Sequence, residues 1–270
     1  MTLIIRLIAA TTTLLPAGAA TANNAAVTDP SRPHVLIDEV AELIVRIRGG
    51  DVCSGTPITA TPYVVTAAHC VLDADGTVAS SRTVLRDGVT YTPLSVLVAP
   101  GYQEAPGPSV DVAVLVMDRV IPGPSALLGE SVPAHGTLTL AGYQPLDTDG
   151  SLLRGARYGD RPLPQGAGTG VVTIETAPAG CVNLATAART HDTSVSFPCG
   201  LIPGASGGGL FANHDGHLVL VGITSTVSLD LTTNGLAPMA AVHELLAHPD
   251  SYRHDMTATA SSSPTQIVRS

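Results

Sequence analysis

Ser206 lies in the run Gly200-Leu-Ile-Pro-Gly-Ala-Ser-Gly-Gly-Gly-Leu210, with Gly204, Gly207, Gly208 and Gly209 around it. Glycine removes the side chain where another chain must come close or where φ is unusual. A serine exposed on such a turn is approachable from one side, and the turn's N–H groups can converge on one oxygen. Those are the requirements of acyl transfer, in which negative charge develops on a carbonyl oxygen. A serine hydroxyl is a poor nucleophile at its free pKa and needs a base beside it. Imidazole takes a proton near neutral pH without extreme tuning. Two upstream segments offer a base and a carboxylate to orient it: Thr66-Ala67-Ala68-His69-Cys70 and Asp111-Val112-Ala113-Val114-Leu115. Each has a plainer account when taken alone: a glycine turn, a half-buried histidine beside a cysteine, a carboxylate capping a strand edge.

The elements that would carry these residues read mostly as short strands. Residues 40–48 partly alternate and end at Gly49-Gly50, residues 52–59 form a second strand, and residues 63–66 form a third that delivers the chain to His69. Strands are also expected at 83–86 and 94–98. Val110 to Met117 is nearly all apolar with Asp111 at its mouth, where a carboxylate needs hydrogen bonds or a partner. A proline-punctuated link at 121–131 separates two many-stranded halves. The second half has strands at 137–143, 152–158 and 171–175, an ambiguous segment at 182–192, and a stretch at 194–198 that leads to Cys199 and the serine loop. A hairpin then turns at Asn213-His214-Asp215-Gly216. Residues 238–247 read as the one real helix, started by Pro238.

Together TAAHC, DVAVL and GASGGG resemble the three signature segments of the chymotrypsin/trypsin-like serine proteases, in that family's order of His, Asp, Ser. The resemblance spans roughly residues 43–228 and is sharpest in the three motifs. It implies an all-β fold of two antiparallel six-stranded β-barrels with a C-terminal helix. By residues, this gives a first barrel at 38–125 and a second barrel with the helix at 126–249. It implies His69 as general base, Asp111 as its orienter and Ser206 as nucleophile, roles taken from the family's template. The N–H groups of Gly204 and Ser206 would form the oxyanion hole. Ser225 would lie behind Asp111, and the backbone of Ser225, Thr226 and Val227 would pair with an extended substrate. A Cys53–Cys70 disulfide is also common in that family.

The chain departs from the family at several positions. Ala205 stands where trypsin-type members have an aspartate that pairs with a newly cut N-terminus, so activation of that kind is not expected. Gly200 stands where preference for Lys or Arg requires an aspartate, which leaves a small or apolar residue as the expected P1 choice. Gly209 replaces a usual proline, and Cys199 is displaced from the family's usual cysteine.

Composition sets the outer bounds. The 270 residues include 2 Phe and 0 Trp, so a core of branched aliphatics is expected, which suits many short strands. The formal charge of −9 argues against non-specific binding to nucleic acid. Residues 1–22 read as a secretory signal, with Arg6, a broken apolar run and a small-residue end at Ala22. That run is too short to span a bilayer. Residues 23–37 read as a pro-segment or flexible arm, and residues 250–270 as a disordered tail. The 4 cysteines allow three pairings, and Cys53 with Cys70 plus Cys181 with Cys199 is the simplest. No C-x-x-C pair occurs, and neither a metal nor a cofactor is expected.

The reading is therefore a secreted, extracellular, monomeric serine endopeptidase acting on a peptide or protein substrate. One alternative is a non-catalytic secreted binding protein on the same fold. Another is a serine esterase, since Gly204 to Gly208 also satisfies G-x-S-x-G. That reading needs Asp230 and His243 as partners, with parallel strands and helices.

Overall fold

The computed structural model describes residues 39–49, 52–133, 138–146, 168–176, 195–197, 205–227 and 234–256. Two antiparallel sheets hold nearly all of the strands. The first is built from β1 (Val45–Arg48), β2 (Cys53–Pro57), β3 (Tyr63–Thr66), β4 (Thr83–Arg86), β5 (Val89–Tyr91), β6 (Pro93–Val98) and β7 (Ala113–Met117). It is joined at one edge by β15 (Arg253–Asp255) from the far end of the chain. Its order is β15-β6-β7-β3-β2-β1-β4-β5. The second contains β9 (Leu138–Leu146), β10 (Gly168–Thr176), β11 (Val195–Phe197), β12 (Gly209–His214), β13 (His217–Val227) and β14 (Asn234–Pro238). Its order is β10-β9-β12-β13-β14-β11, and a two-residue strand β8 (Leu127–Leu128) lies parallel to β13.

Among the described residues the sheets have eight and seven strands, not the six and six expected. The extra members are short. Thr92 alone separates β5 from β6, whose ladder with β7 has a bulge between Pro93 and Ser95, while β8 and β15 are peripheral additions. The hairpin at Asn213 to Gly216 forms as expected. Asp215 and Gly216 both take positive φ, 52° and 82°, as a tight two-residue turn between right-twisted strands requires.

Residues 39–42 are helical rather than extended. Val40, Leu43 and Ile44 are buried, and their i, i+3, i+4 spacing is the helical period, which the alternation of Val45 to Arg48 masked. The C-terminal helix is Met239–Ala247, with Pro238 at its N-cap and Met239, Val242 and Leu245 buried. The tail was expected to be disordered from residue 250. Instead, a 3₁₀ turn at Pro249–Ser251 leads into β15, which pairs with β6 through Arg253↔Leu97 and His254↔Val96. The expected strand at 152–158 and the ambiguous segment at 182–192 lie outside the described residues, as do residues 1–38 and 257–270.

Among the described residues, three apolar clusters fill the structure. One lies within the first sheet around Val45, Val64, Leu115 and Tyr91. A smaller one lies within the second around Leu140, Ala205, Leu210 and Leu236. A third joins the halves, with Val40, Val65 and Val112 packing together with Phe211, Ile223, Met239 and Val242. Branched aliphatics supply most of this core, as the low aromatic content requires. Burying each large aliphatic side chain contributes roughly 1.5–3 kcal/mol. His69 lies between Ala68 and Cys70 of the first cluster, Asp111 beside Val112 of the joining cluster and Ser206 beside Ala205 of the second, so the packing of all three clusters sets the distances between them.

Candidate active site

His69 sits on the 3₁₀ turn Ala68–Cys70, which follows directly from β3. Three groups hold that turn. Cys70 is disulfide-bonded to Cys53 at the start of β2. The Arg82 Nε–H donates to the Cys70 carbonyl at 2.9 Å. The His69 backbone N–H donates to Asp111 Oδ1 at 3.0 Å.

Asp111 terminates a second 3₁₀ turn, Pro108–Val110, at the entrance to β7. It is 2% exposed, and hydrogen bonds satisfy its carboxylate. Oδ1 takes the backbone of His69, while Oδ2 lies 2.7 Å from His69 Nδ1 and accepts the Ser225 hydroxyl at 2.6 Å. Ser225 reaches it because of a β-bulge. Thr224 pairs with Leu236 and Thr226 with Gly235, which leaves Ser225 as the unpaired extra residue between them. The bulge re-aims its side chain toward the first half of the molecule.

Ser206 stands one residue after Ala205, which is wholly buried against Gly142. The peptide joining Ser206 to Gly207 is held from both sheets. Its carbonyl accepts the Ser54 N–H of β2 at 2.7 Å, and its N–H donates to the Thr224 carbonyl of β13 at 2.7 Å. Gly207 has φ of +78°, and a Cβ there would collide with Thr66 Oγ1 and the Ser54 carbonyl. Gly208 is equally confined, since a Cβ would run into the Ala141 carbonyl. Two of the glycines around Ser206 are thus required by backbone conformation and close approach.

His69 and Ser206 line one cavity of about 1020 Å³, together with Cys53, Cys70 and Tyr102. Burial pushes the Tyr102 hydroxyl up to about 12, and the Asp111 charge adds to the shift. Among the described residues, the tightest group of metal-ligating side chains is Cys53, His69 and Cys70. The two sulfurs there are bonded to each other and present no thiolate.

The structure thus brings His69, Asp111, Ser206 and Ser225 together. Thr226 lies on β13 beyond the bulge, opposite Gly235, and Val227 is opposite Asn234. Gly200, Gly204, Cys181 and Cys199 lie outside the described residues. The G-x-S-x-G alternative fails on this arrangement. Apart from the two-residue β8, the described strands pair antiparallel, and His243 sits on the C-terminal helix with its Nε2 2.9 Å from the Gly129 carbonyl. Sequence reasoning missed Ser54 and Thr66, because a serine and a threonine in apolar strands carry no signal without their distant partners.

Among the described residues, no helix is long and apolar enough to cross a membrane. Residues 53–223 match the family model of the trypsin-like peptidase domain. No curated protein matches the chain. Solved structures share its fold at low identity. A thermostable serine protease, AL20, from an extremophilic microorganism is 14% identical, with a TM-score of 0.53 over 79% of this chain and 99% of its own. The protease Anisep from Arthrobacter nicotinovorans is 16% identical, with a TM-score of 0.54 over 78% and 96%. A Glu endopeptidase is 19% identical, with a TM-score of 0.53 over 78% and 91%. The family match covers more than half of the 270 residues, the His69–Asp111 contact has the geometry of the base–carboxylate pair of a serine endopeptidase's triad, and Ser206 shares a cavity with His69. The chain belongs to the trypsin-like peptidase domain family.

Proposed function

We propose that the chain is a secreted serine endopeptidase in which His69, Asp111 and Ser206 carry out the chemistry. The observation that carries this reading is the shared carboxylate oxygen. Asp111 Oδ2 receives both His69 Nδ1 and Ser225 Oγ, while His69 and Ser206 line one cavity. Asp111 keeps the proton on Nδ1, so Nε2 is free to accept one. His69 takes the Ser206 proton as the hydroxyl oxygen attacks the peptide carbonyl. The N–H groups of Gly204 and Ser206 receive the charge that develops on the carbonyl oxygen. His69 then gives its proton to the leaving amine, and an acyl-enzyme remains. Water, deprotonated by His69, releases the acid and restores the hydroxyl.

Substrate binds as an added strand along Ser225, Thr226 and Val227. Support comes from β13, whose ladder with β12 ends at Ile223 and leaves the following residues without a β12 partner. Gly200 places no countercharge in the specificity pocket, which favours a small or apolar P1. The two sheets correspond to the family's two six-stranded barrels. In the first, β5 and β6 act as a single bent strand linking β4 to β7, since only Thr92 separates them. Residues 1–22 direct export, and the mature chain works as a monomer without a cofactor.

Ala205 rules the activation step in this reading. It is 0% exposed in an apolar cluster with Leu138, Leu140 and Leu210, so a charged N-terminus has no carboxylate to meet there. The nucleophile turn is held by packing and hydrogen bonds instead.

The test is cleavage of a mixed peptide library by the purified chain beside S206A, with new termini read by mass spectrometry. Cleavage that disappears in S206A supports the reading and maps P1. An absence of cleavage by both proteins, with a fluorophosphonate failing to label Ser206, overturns it in favour of a binding protein.

A further inference from the structure

We propose that Ser54 is a positioning residue for Ser206, coupling the nucleophile's peptide to both halves of the molecule. The inference rests on the reading of Ser206 as the nucleophile. Ser54 is 0% exposed and takes part in three hydrogen bonds, each of 2.7 Å. Its N–H donates to the Ser206 carbonyl. Its carbonyl accepts the Thr66 hydroxyl, from the strand that leads to His69. Its own Oγ accepts the Tyr143 N–H, from β9 of the second sheet. The preceding residue, Cys53, is bonded to Cys70 beside His69.

The Ser54 hydroxyl has a specific task in this arrangement. The β12 ladder to β9 ends at Ala141. Beyond it β9 runs past the nucleophile turn, where Gly142 lies against Ala205 and the next N–H, that of Tyr143, points at Ser54. A buried N–H without a partner is costly, so the hydroxyl acts as the strand partner that β12 no longer provides. Through that bond β9 is held against Ala205. Through its N–H, Ser54 holds the carbonyl of Ser206. Removing the hydroxyl loosens β9 and the clamp on the Ser206 peptide together. Ser54 is absent from the cavity wall, so its loss acts on the placement of Ser206 and not on substrate contact.

The test uses the full chain with a peptide chosen from the library. A fluorophosphonate counts active sites, and thermal denaturation is followed in parallel. For S54A, kcat per labelled site is expected to fall on the order of tenfold, since small misplacements of a reacting group are costly. KM is expected to stay within about twofold, the pattern of an interaction that matters in the transition state. S54T keeps the hydroxyl and is expected to recover most of the lost kcat. A kcat for S54A within about twofold of the parent overturns the inference, whatever happens to the melting temperature. So does an S54T as slow as S54A. Should S54A fail to fold, T66V removes the donor to the Ser54 carbonyl while keeping its shape. The same split is expected for it, and an unchanged kcat overturns the inference. Labelling that persists in S206A defeats the nucleophile reading and this inference with it. Labelling confined to Ser206 with a fully active S54A defeats this inference alone.

Discussion

Ser225 and His69 bind the same oxygen of Asp111, at 2.6 Å from the serine Oγ and 2.7 Å from the imidazole Nδ1. The oxygen is buried, so each donor replaces a water that the carboxylate has lost. A hydrogen bond to a charged group contributes about 1.5–3 kcal/mol. Ser225→Ala is therefore expected to lower kcat/KM roughly ten- to a hundredfold, because the carboxylate that fixes the ring loses one of its restraints. Steady-state kinetics on a peptide substrate measures this directly, and S225T, which keeps the hydroxyl, should lose less.

Asp111→Asn should be far more damaging while keeping the fold. The His69 backbone N–H points at Oδ1, which keeps an oxygen on that side and turns the new amide N–H₂ toward Nδ1. Nδ1 must then accept, and the proton moves to Nε2, where it blocks removal of the Ser206 proton. A loss of about four orders of magnitude in kcat is expected, as in the family's template. Circular dichroism and the melting temperature should stay near those of the parent chain.

Tyr102 makes stability fall in strong alkali. Its hydroxyl is raised from 10.0 to about 12 by burial first and the Asp111 charge second. The folded state therefore holds a proton that the unfolded state releases between those values. The contribution is complete below the unfolded value and is lost as pH rises through the folded one. Thermal melts taken across that window should show a falling midpoint, and Tyr102→Phe should show a shallower fall. Equal slopes for the two proteins would refute the assignment to Tyr102.

Gly207→Ala tests the nucleophile turn. The backbone there has φ of +78°, and the added methyl would meet Thr66 Oγ1 and the Ser54 carbonyl. The unfavourable backbone conformation alone costs about 1–3 kcal/mol, with overpacking added to it. A lower urea midpoint is expected, together with loss of fluorophosphonate labelling.

Cys53 and Cys70 close a loop with a sequence separation of 17. Replacing both with alanine should cost about 3 kcal/mol by freeing the unfolded chain. It also frees the turn that carries His69, so activity should fall below what the lost stability explains. Denaturation and kinetics on the double variant, compared at a temperature where it is fully folded, separate the two effects.

Local chemistry made much of the molecule readable in advance. β3 was expected at Tyr63 to Thr66 and occurs there, because a short β-branched run between a proline and a small-residue turn has few other choices. The Asp-Gly hairpin and the Pro238-led helix also carry their own signals. Residues 39–42 misled, because their apolar spacing serves a helix that packs on a core assembled from both halves. The start of the tail misled for the same reason, since β15 is an ordinary polar segment until β6 offers it an edge.

The three motifs named His69, Asp111 and Ser206 because residue type and immediate neighbours suffice to mark a base, a carboxylate and a serine on a glycine turn. Convergence belongs to the tertiary structure. The bulge that sends Ser225 to Asp111, the close packing of Gly207 on Ser54 and Thr66, and the bonds from Ser54 to Tyr143 and Ser206 all join residues 89 or more positions apart. Side-chain identity is local, but distance and desolvation are set only when the two sheets close on their shared apolar core.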